Sequence, residues 1–106
     1  MGRVMLEQAQ QGDMISVKLR LAWLDEAVAD KFLEEMTKIV ETGQRHFVLD
    51  MDEVEHIDSD GLNAIVALQK MVGRAGTVEL TNVNGPVMKV LKLTRTYRTM
   101  SVHKAA

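Results

Sequence analysis

Apolar residues along this chain alternate between short strand-like runs and longer stretches at helical spacing. Their order predicts strand, strand, helix, strand, helix, strand, helix, strand. Val4-Met5-Leu6 starts the first run. Asp13–Leu19 then reads DMISVKL, with Met14, Ile15, Val17 and Leu19 in the pattern of a half-buried strand. A Gly12-Asp13 turn between the two makes a hairpin at a sheet edge. Arg20–Trp23 connects to a helix starting at Asp25, whose side chain can cap free backbone N–H groups. Val28, Phe32, Leu33, Met36 and Val40 recur on one side of that helix, and Thr42-Gly43 closes it. Trp23 and Leu24 at its entrance are either a hydrophobic staple or an exposed contact for a partner.

The centre of the chain is His46–Gly61, HFVLDMDEVEHIDSDG. Phe47-Val48-Leu49 is an apolar run of the kind found in sheets covered on both faces, within a strand His46–Asp50. An acidic loop follows, and a second helix runs from about Asp60 to Val72. Its apolar residues Leu62, Ile65, Val66, Leu68, Met71 and Val72 cover a broad arc, leaving Asn63, Gln69 and Lys70 for the wet side. Gly73 and Gly76 bracket a turn before a strand Thr77–Thr81. Asn84-Gly85-Pro86 opens a third helix, with proline at the first helical position, and Thr99–His103 is read as a final strand. The pattern predicts an α/β fold: a mostly parallel sheet of four to five strands, an N-terminal hairpin and right-handed crossover helices. Sites in such sheets lie at the carboxyl ends of strands, where the acidic loop falls.

The length of 106 residues fits a single domain over 1–106, and 46% hydrophobic residues are enough for a modest core. With no cysteine, disulfides, thiolate nucleophiles and cysteine metal sites are excluded. No apolar run approaches the roughly 20 residues a membrane-spanning helix needs, and the N-terminus has no signal-peptide pattern. A cytoplasmic location without membrane insertion is therefore expected. A net charge of −2 argues against nucleic acid as partner, but the charge is unevenly placed. Asp50, Asp52, Glu53, Glu55, Asp58 and Asp60 crowd one loop, whereas no acid follows Glu79 and the bases there include Lys89, Lys92, Arg95, Arg98 and Lys104.

Several chemistries can be tested on the acidic loop. Asp50-x-Asp52 has the spacing of haloacid-dehalogenase-like phosphatases, but no later acidic pair completes a magnesium site. Asp58–Gln69 lacks the terminal glutamate of a calcium loop, and His56, Asp58 and Asp60 have no ligand spacing, so no metal or cofactor is expected. Ser59 has no histidine partner that would make it a nucleophile, and no enzyme activity is expected. If Asp58 or Ser59 caps the helix, the Ser59 hydroxyl lies beside free N–H groups and the helix dipole, where a phosphate can be accommodated. Ser59 can equally be a cap and nothing more. Gly61 lets a partner approach the helix start closely.

The segment from Phe47 to Leu93 resembles the STAS domain family, specifically bacterial anti-sigma factor antagonists. The matching features are the strand Phe47–Leu49, Asp58-Ser59-x-Gly61-Leu62, the Gly76 turn before Val78–Leu80, and the proline-started helix with Val90, Leu91 and Leu93. The resemblance implies a single STAS domain with Ser59 as phosphoacceptor, Asp58 as the acid that helps place its hydroxyl, and Gly61 as the small residue at the helix start. It also implies two partners: an anti-sigma factor serine kinase of the histidine-kinase-like ATPase fold, and a serine phosphatase. Partner contacts are expected from Asp58, Ser59, Asp60, Gly61, Asn63 and Trp23, in a monomer or weak homodimer. The sequence departs from the family in two places: Asp60 stands where serine or threonine is usual, and Leu21-Ala22-Trp23-Leu24 replaces a connection that often carries glycine. The competing expectation is an unphosphorylated STAS scaffold subunit, for example of a lipid transporter.

Overall fold

The structure is a computed structural model and describes residues 6–105. Strands β1 (Leu6–Gln11) and β2 (Met14–Leu19) form the expected antiparallel hairpin, and Gly12 takes the left-handed conformation in its turn (φ +66°). Val4 and Met5, expected to start the first strand, lie outside the described residues. A two-residue strand β3 (Trp23–Leu24) leads into helix α1 (Glu26–Glu41). Next come β4 (His46–Asp50), a second two-residue strand β5 (His56–Ile57) and helix α2 (Ser59–Val72). Strand β6 (Thr77–Val83), helix α3 (Gly85–Leu93) and strand β7 (Ser101–Lys104) complete the chain.

The main sheet has the order β1-β2-β4-β6-β7, parallel except for the hairpin. From β2 onward the order advances in one direction, so right-handed crossovers carry α1, α2 and α3 over the same face. The strand registers place Ile15 beside Phe47 and Phe47 beside Val78, then Val17 beside Leu49 and Leu49 beside Leu80. All six are buried and share the helix-covered face. The opposite face carries Ser16, Lys18, Val48, Glu79 and Thr81, all half-buried. Among the described residues the sheet is thus covered on one face rather than two. A three-residue apolar run such as Phe47-Val48-Leu49 cannot show whether its middle residue meets a second layer.

Helix boundaries follow local chemistry. Asp25 caps α1, its carboxylate accepting from Ala27 N at 3.0 Å, and Thr42 ends the helix before Gly43, at φ +103°. The buried side of α1 is centred on Ala29, Phe32, Met36 and Ile39, with Val28, Leu33 and Val40 on its flanks. The pattern had named Phe32 and Met36 of that centre together with the three flanking residues, and had left out Ala29 and Ile39. Asn84 caps α3 through Val87 N at 2.8 Å. Gly85 takes the first helical position and Pro86 the second, one later than expected; an N–H in that turn needs no helical partner either. Strand β6 runs two residues further than expected, through Asn82 at φ +56° and a register shift against β7. A left-handed Arg95 (φ +60°) and a short 3-10 turn at Thr96–Arg98 delay β7 to Ser101.

Candidate functional site

The site is built where two helices begin side by side. Strands β3 and β5 pair in parallel, Trp23 with His56 and Leu24 with Ile57, into a small ribbon beyond the carboxyl ends of the main strands. Glu55 N and His56 N both donate to Ala22 O, at 2.8 and 3.0 Å, which locks the ribbon. This pairing joins segments more than thirty residues apart, so neither stretch carries a strand pattern of its own. Asp25 follows β3 and caps α1; Asp58 follows β5 and caps α2.

Asp58 does more than cap its own helix. One carboxylate oxygen accepts from Gly61 N at 2.9 Å, and the other accepts from Glu26 N, the first residue of α1, at 3.1 Å. One side chain therefore satisfies free N–H groups on two helices and ties their starts together. The N–H of Gly61 is the main cause that holds the Asp58 carboxyl below its ordinary value, with burial opposing and Glu26 N–H assisting. The sequence left open whether Asp58 or Ser59 caps; the cap is Asp58.

Ser59 is thereby fixed as the first residue of α2, and it is exposed. Asp60 and Asn63 are exposed on the same helix. They border an open groove between α1 and α2, whose other rim is Glu26 and Asp30 and whose floor includes Ala29 and Ala64. Trp23 is 57% exposed and stacks on the His56 ring with centroids 4.0 Å apart. Of the two residues expected as staple or partner contact, Leu24 takes the core and Trp23 the surface.

Gly61 has a different role from the one expected. It is buried, and a Cβ there would collide with the Leu24 carbonyl oxygen and lie 2.8 Å from its carbonyl carbon. The close approach that this glycine permits is made by the chain's own β3 backbone. Half of the loop's acids are likewise engaged internally. Asp50 accepts from Asp52 N and from the Asn82 amide, at 3.0 and 2.9 Å, and Glu53 pairs with Arg20 at 2.8 Å. Met51 and Val54 anchor the loop in the core, while Asp52 and Glu55 point to solvent. His56, Asp58 and Asp60 do not converge, and no group of metal-ligating side chains is present among the described residues.

The mostly parallel five-stranded sheet, its N-terminal hairpin and its crossover helices make a STAS-like α/β domain. The family model for the STAS domain matches residues 6–105, and the chain belongs to that family. It is related to bacterial anti-sigma factor antagonists. A candidate anti-sigma factor antagonist from Thermotoga maritima is 26% identical, with a TM-score of 0.83 covering 94% of this chain and 86% of that one. An anti-sigma factor antagonist from Mycobacterium paratuberculosis superposes with a TM-score of 0.84 at 17% identity, over 96% of this chain and 86% of that one. The Bacillus cell fate determinant SpoIIAA in its phosphorylated form gives 0.71 at 14%, over 92% and 89%. For the last two the likeness is one of fold. No curated protein matches the sequence significantly.

Proposed function

We propose that this chain is an anti-sigma factor antagonist in a partner-switching pathway, which binds a serine kinase when unmodified and leaves it when Ser59 is phosphorylated. The observation that carries this reading is the placement of Ser59: exposed, first in α2, and directly after the aspartate that fixes the helix start. A kinase can reach this hydroxyl without unfolding anything. Asp58 is the positioning residue, and Asp60, Asn63 and Trp23 supply the exposed contacts around the acceptor. Gly61 serves the same surface from beneath by letting β3 close on α2.

The switch is electrostatic. A phosphoserine adds about −1.5 to −2 charges next to Asp58 and Asp60, at the surface proposed to meet the nucleotide-bearing kinase. The same dipole that tolerates the phosphate in the free protein does not offset its repulsion by a nucleotide in the complex. The chain is the substrate in this chemistry.

The test is intact mass and peptide mapping of the protein from its native cells with phosphatases inhibited, followed by titration calorimetry with the kinase that modifies it. A phosphate on Ser59 is expected, absent in Ser59→Ala. Ser59→Ala should bind the kinase like the unmodified wild type and Ser59→Asp more weakly. An unmodified Ser59 under every growth condition, or equal affinity of all three forms, overturns the reading.

A further inference from the structure

A second polar cavity lies at the other end of the sheet from Ser59. It has a volume of about 380 Å³ and opens where β6 and β7 begin, between α2 and the segment that follows α3. Its polar lining comes from Gln69, Thr77, Arg98, Thr99 and Ser101, with Val78 and Met100 as its apolar wall. None of the described lining residues is acidic, and the sequence places no acid after Glu79. Glu79 itself is held by His103 at 2.9 Å.

The hydrogen-bonding capacity of this lining is mostly donor. Arg98 can only donate, through a planar fork that suits oxyanions. Ser101 is exposed with its hydroxyl available, and Thr77 shares a hydrogen bond of 3.1 Å with His46 Nδ1. The Thr99 hydroxyl donates to Thr96 O and is already used. Gln69 buries its carbonyl oxygen, which has no hydrogen-bond partner among the described residues, so the polar end left for the cavity is its NH2 group.

We propose that this cavity binds a small organic oxyanion, a phosphate ester or carboxylate. Its charged group sits on Arg98, Ser101 and the Gln69 amide, and its apolar body rests against Val78 and Met100. The cavity is larger than an inorganic phosphate requires, and its wall is partly apolar, so the organic part contributes to binding. This site is independent of Ser59 and of the switch proposed there.

The test is a titration of backbone amide NMR signals with phenyl phosphate, alongside benzoate, inorganic phosphate and benzylamine. Saturable shifts at Thr77, Val78 and Arg98–Ser101 are expected with phenyl phosphate or benzoate, weaker ones with inorganic phosphate, and none with benzylamine. Arg98→Gln removes the charge-assisted bonds and should weaken binding by roughly tenfold or more. Arg98 is exposed, so an unchanged spectrum away from the cavity will show that this variant is folded. Shifts at the starts of α1 and α2 instead, equal binding by Arg98→Gln, equal binding of benzylamine, or no saturation with any oxyanion overturns the proposal.

Discussion

Replacing Gly61 by alanine tests whether the β3–β5 ribbon and α2 are locked together as described. The added Cβ would overlap the Leu24 carbonyl oxygen, with the carbonyl carbon at 2.8 Å and Leu24 Cγ at 3.0 Å. Backbone cannot swing aside as a flexible side chain does, so either β3 or the first turn of α2 must shift. Overpacking of a well-filled site costs about 1–3 kcal/mol, and a backbone obstacle places this one towards the top of that range. Against it stands the better helix propensity of alanine, which returns about 1 kcal/mol. The clash wins, leaving a net loss of about 2 kcal/mol. Gly85→Ala is the control: it too is helical, but a Cβ there meets nothing within 4 Å, so that variant should be neutral or slightly stabilised. The assay is urea unfolding followed by fluorescence of Trp23, the only tryptophan, which sits on the displaced ribbon. Gly61→Ala should lower the midpoint without changing the slope, and should alter the native emission. A Gly61→Ala protein as stable as Gly85→Ala, with unchanged emission, would refute the lock.

Two further substitutions examine what ties the site together. Asp58→Asn offers a single carbonyl oxygen to two N–H groups and turns its own NH2 towards one of them, so the melting temperature should fall at neutral pH. Because the folded-state pKa of Asp58 is depressed, its contribution is fully present above the ordinary carboxylate value of 3.8 and is lost as pH falls through the lowered pKa. Thermal melts at descending pH should therefore bring wild type and Asp58→Asn together in acid; a gap that widens there contradicts the assignment. Arg20→Ala breaks the contacts to Glu7 and Glu53, but both are exposed ion pairs worth about 0–1 kcal/mol. Chemical denaturation should show a change within that range, and a larger one would mean that the acidic loop depends on Arg20 for its conformation.

The fold was readable wherever a local pattern has a single structural meaning. DMISVKL alternates, and β2 has that alternation; Asp25, Asn84 and Gly43 are cap residues, and each stands at a helix end. The strand His46–Asp50 was bounded correctly because an apolar run ends at an aspartate. The helix start at Asp58-Ser59-x-Gly61-Leu62 was readable too, although the pattern left open which of Asp58 and Ser59 caps it, and only the family resemblance singled out Ser59 as the proposed acceptor. Element order, parallel sheet and the position of the site after a strand end are thus consequences of spacing along the chain.

Tertiary structure decided everything that needs two distant segments to meet. Strands β3 and β5 exist only through each other, since two residues cannot carry a hydrophobic period. Their pairing turns Leu24 inward and Trp23 outward, and brings Glu26 N within reach of Asp58. It also gives Gly61 its obligation, because the atom that excludes a side chain there belongs to Leu24. The covering of a single sheet face was similarly decided by strand order rather than by the run Phe47-Val48-Leu49. Propensity and capping are set by neighbours a few residues away, so the sequence alone determined them. Exposure, shared hydrogen bonds and steric exclusion are properties of contacts across the chain, and only the folded arrangement supplies those contacts.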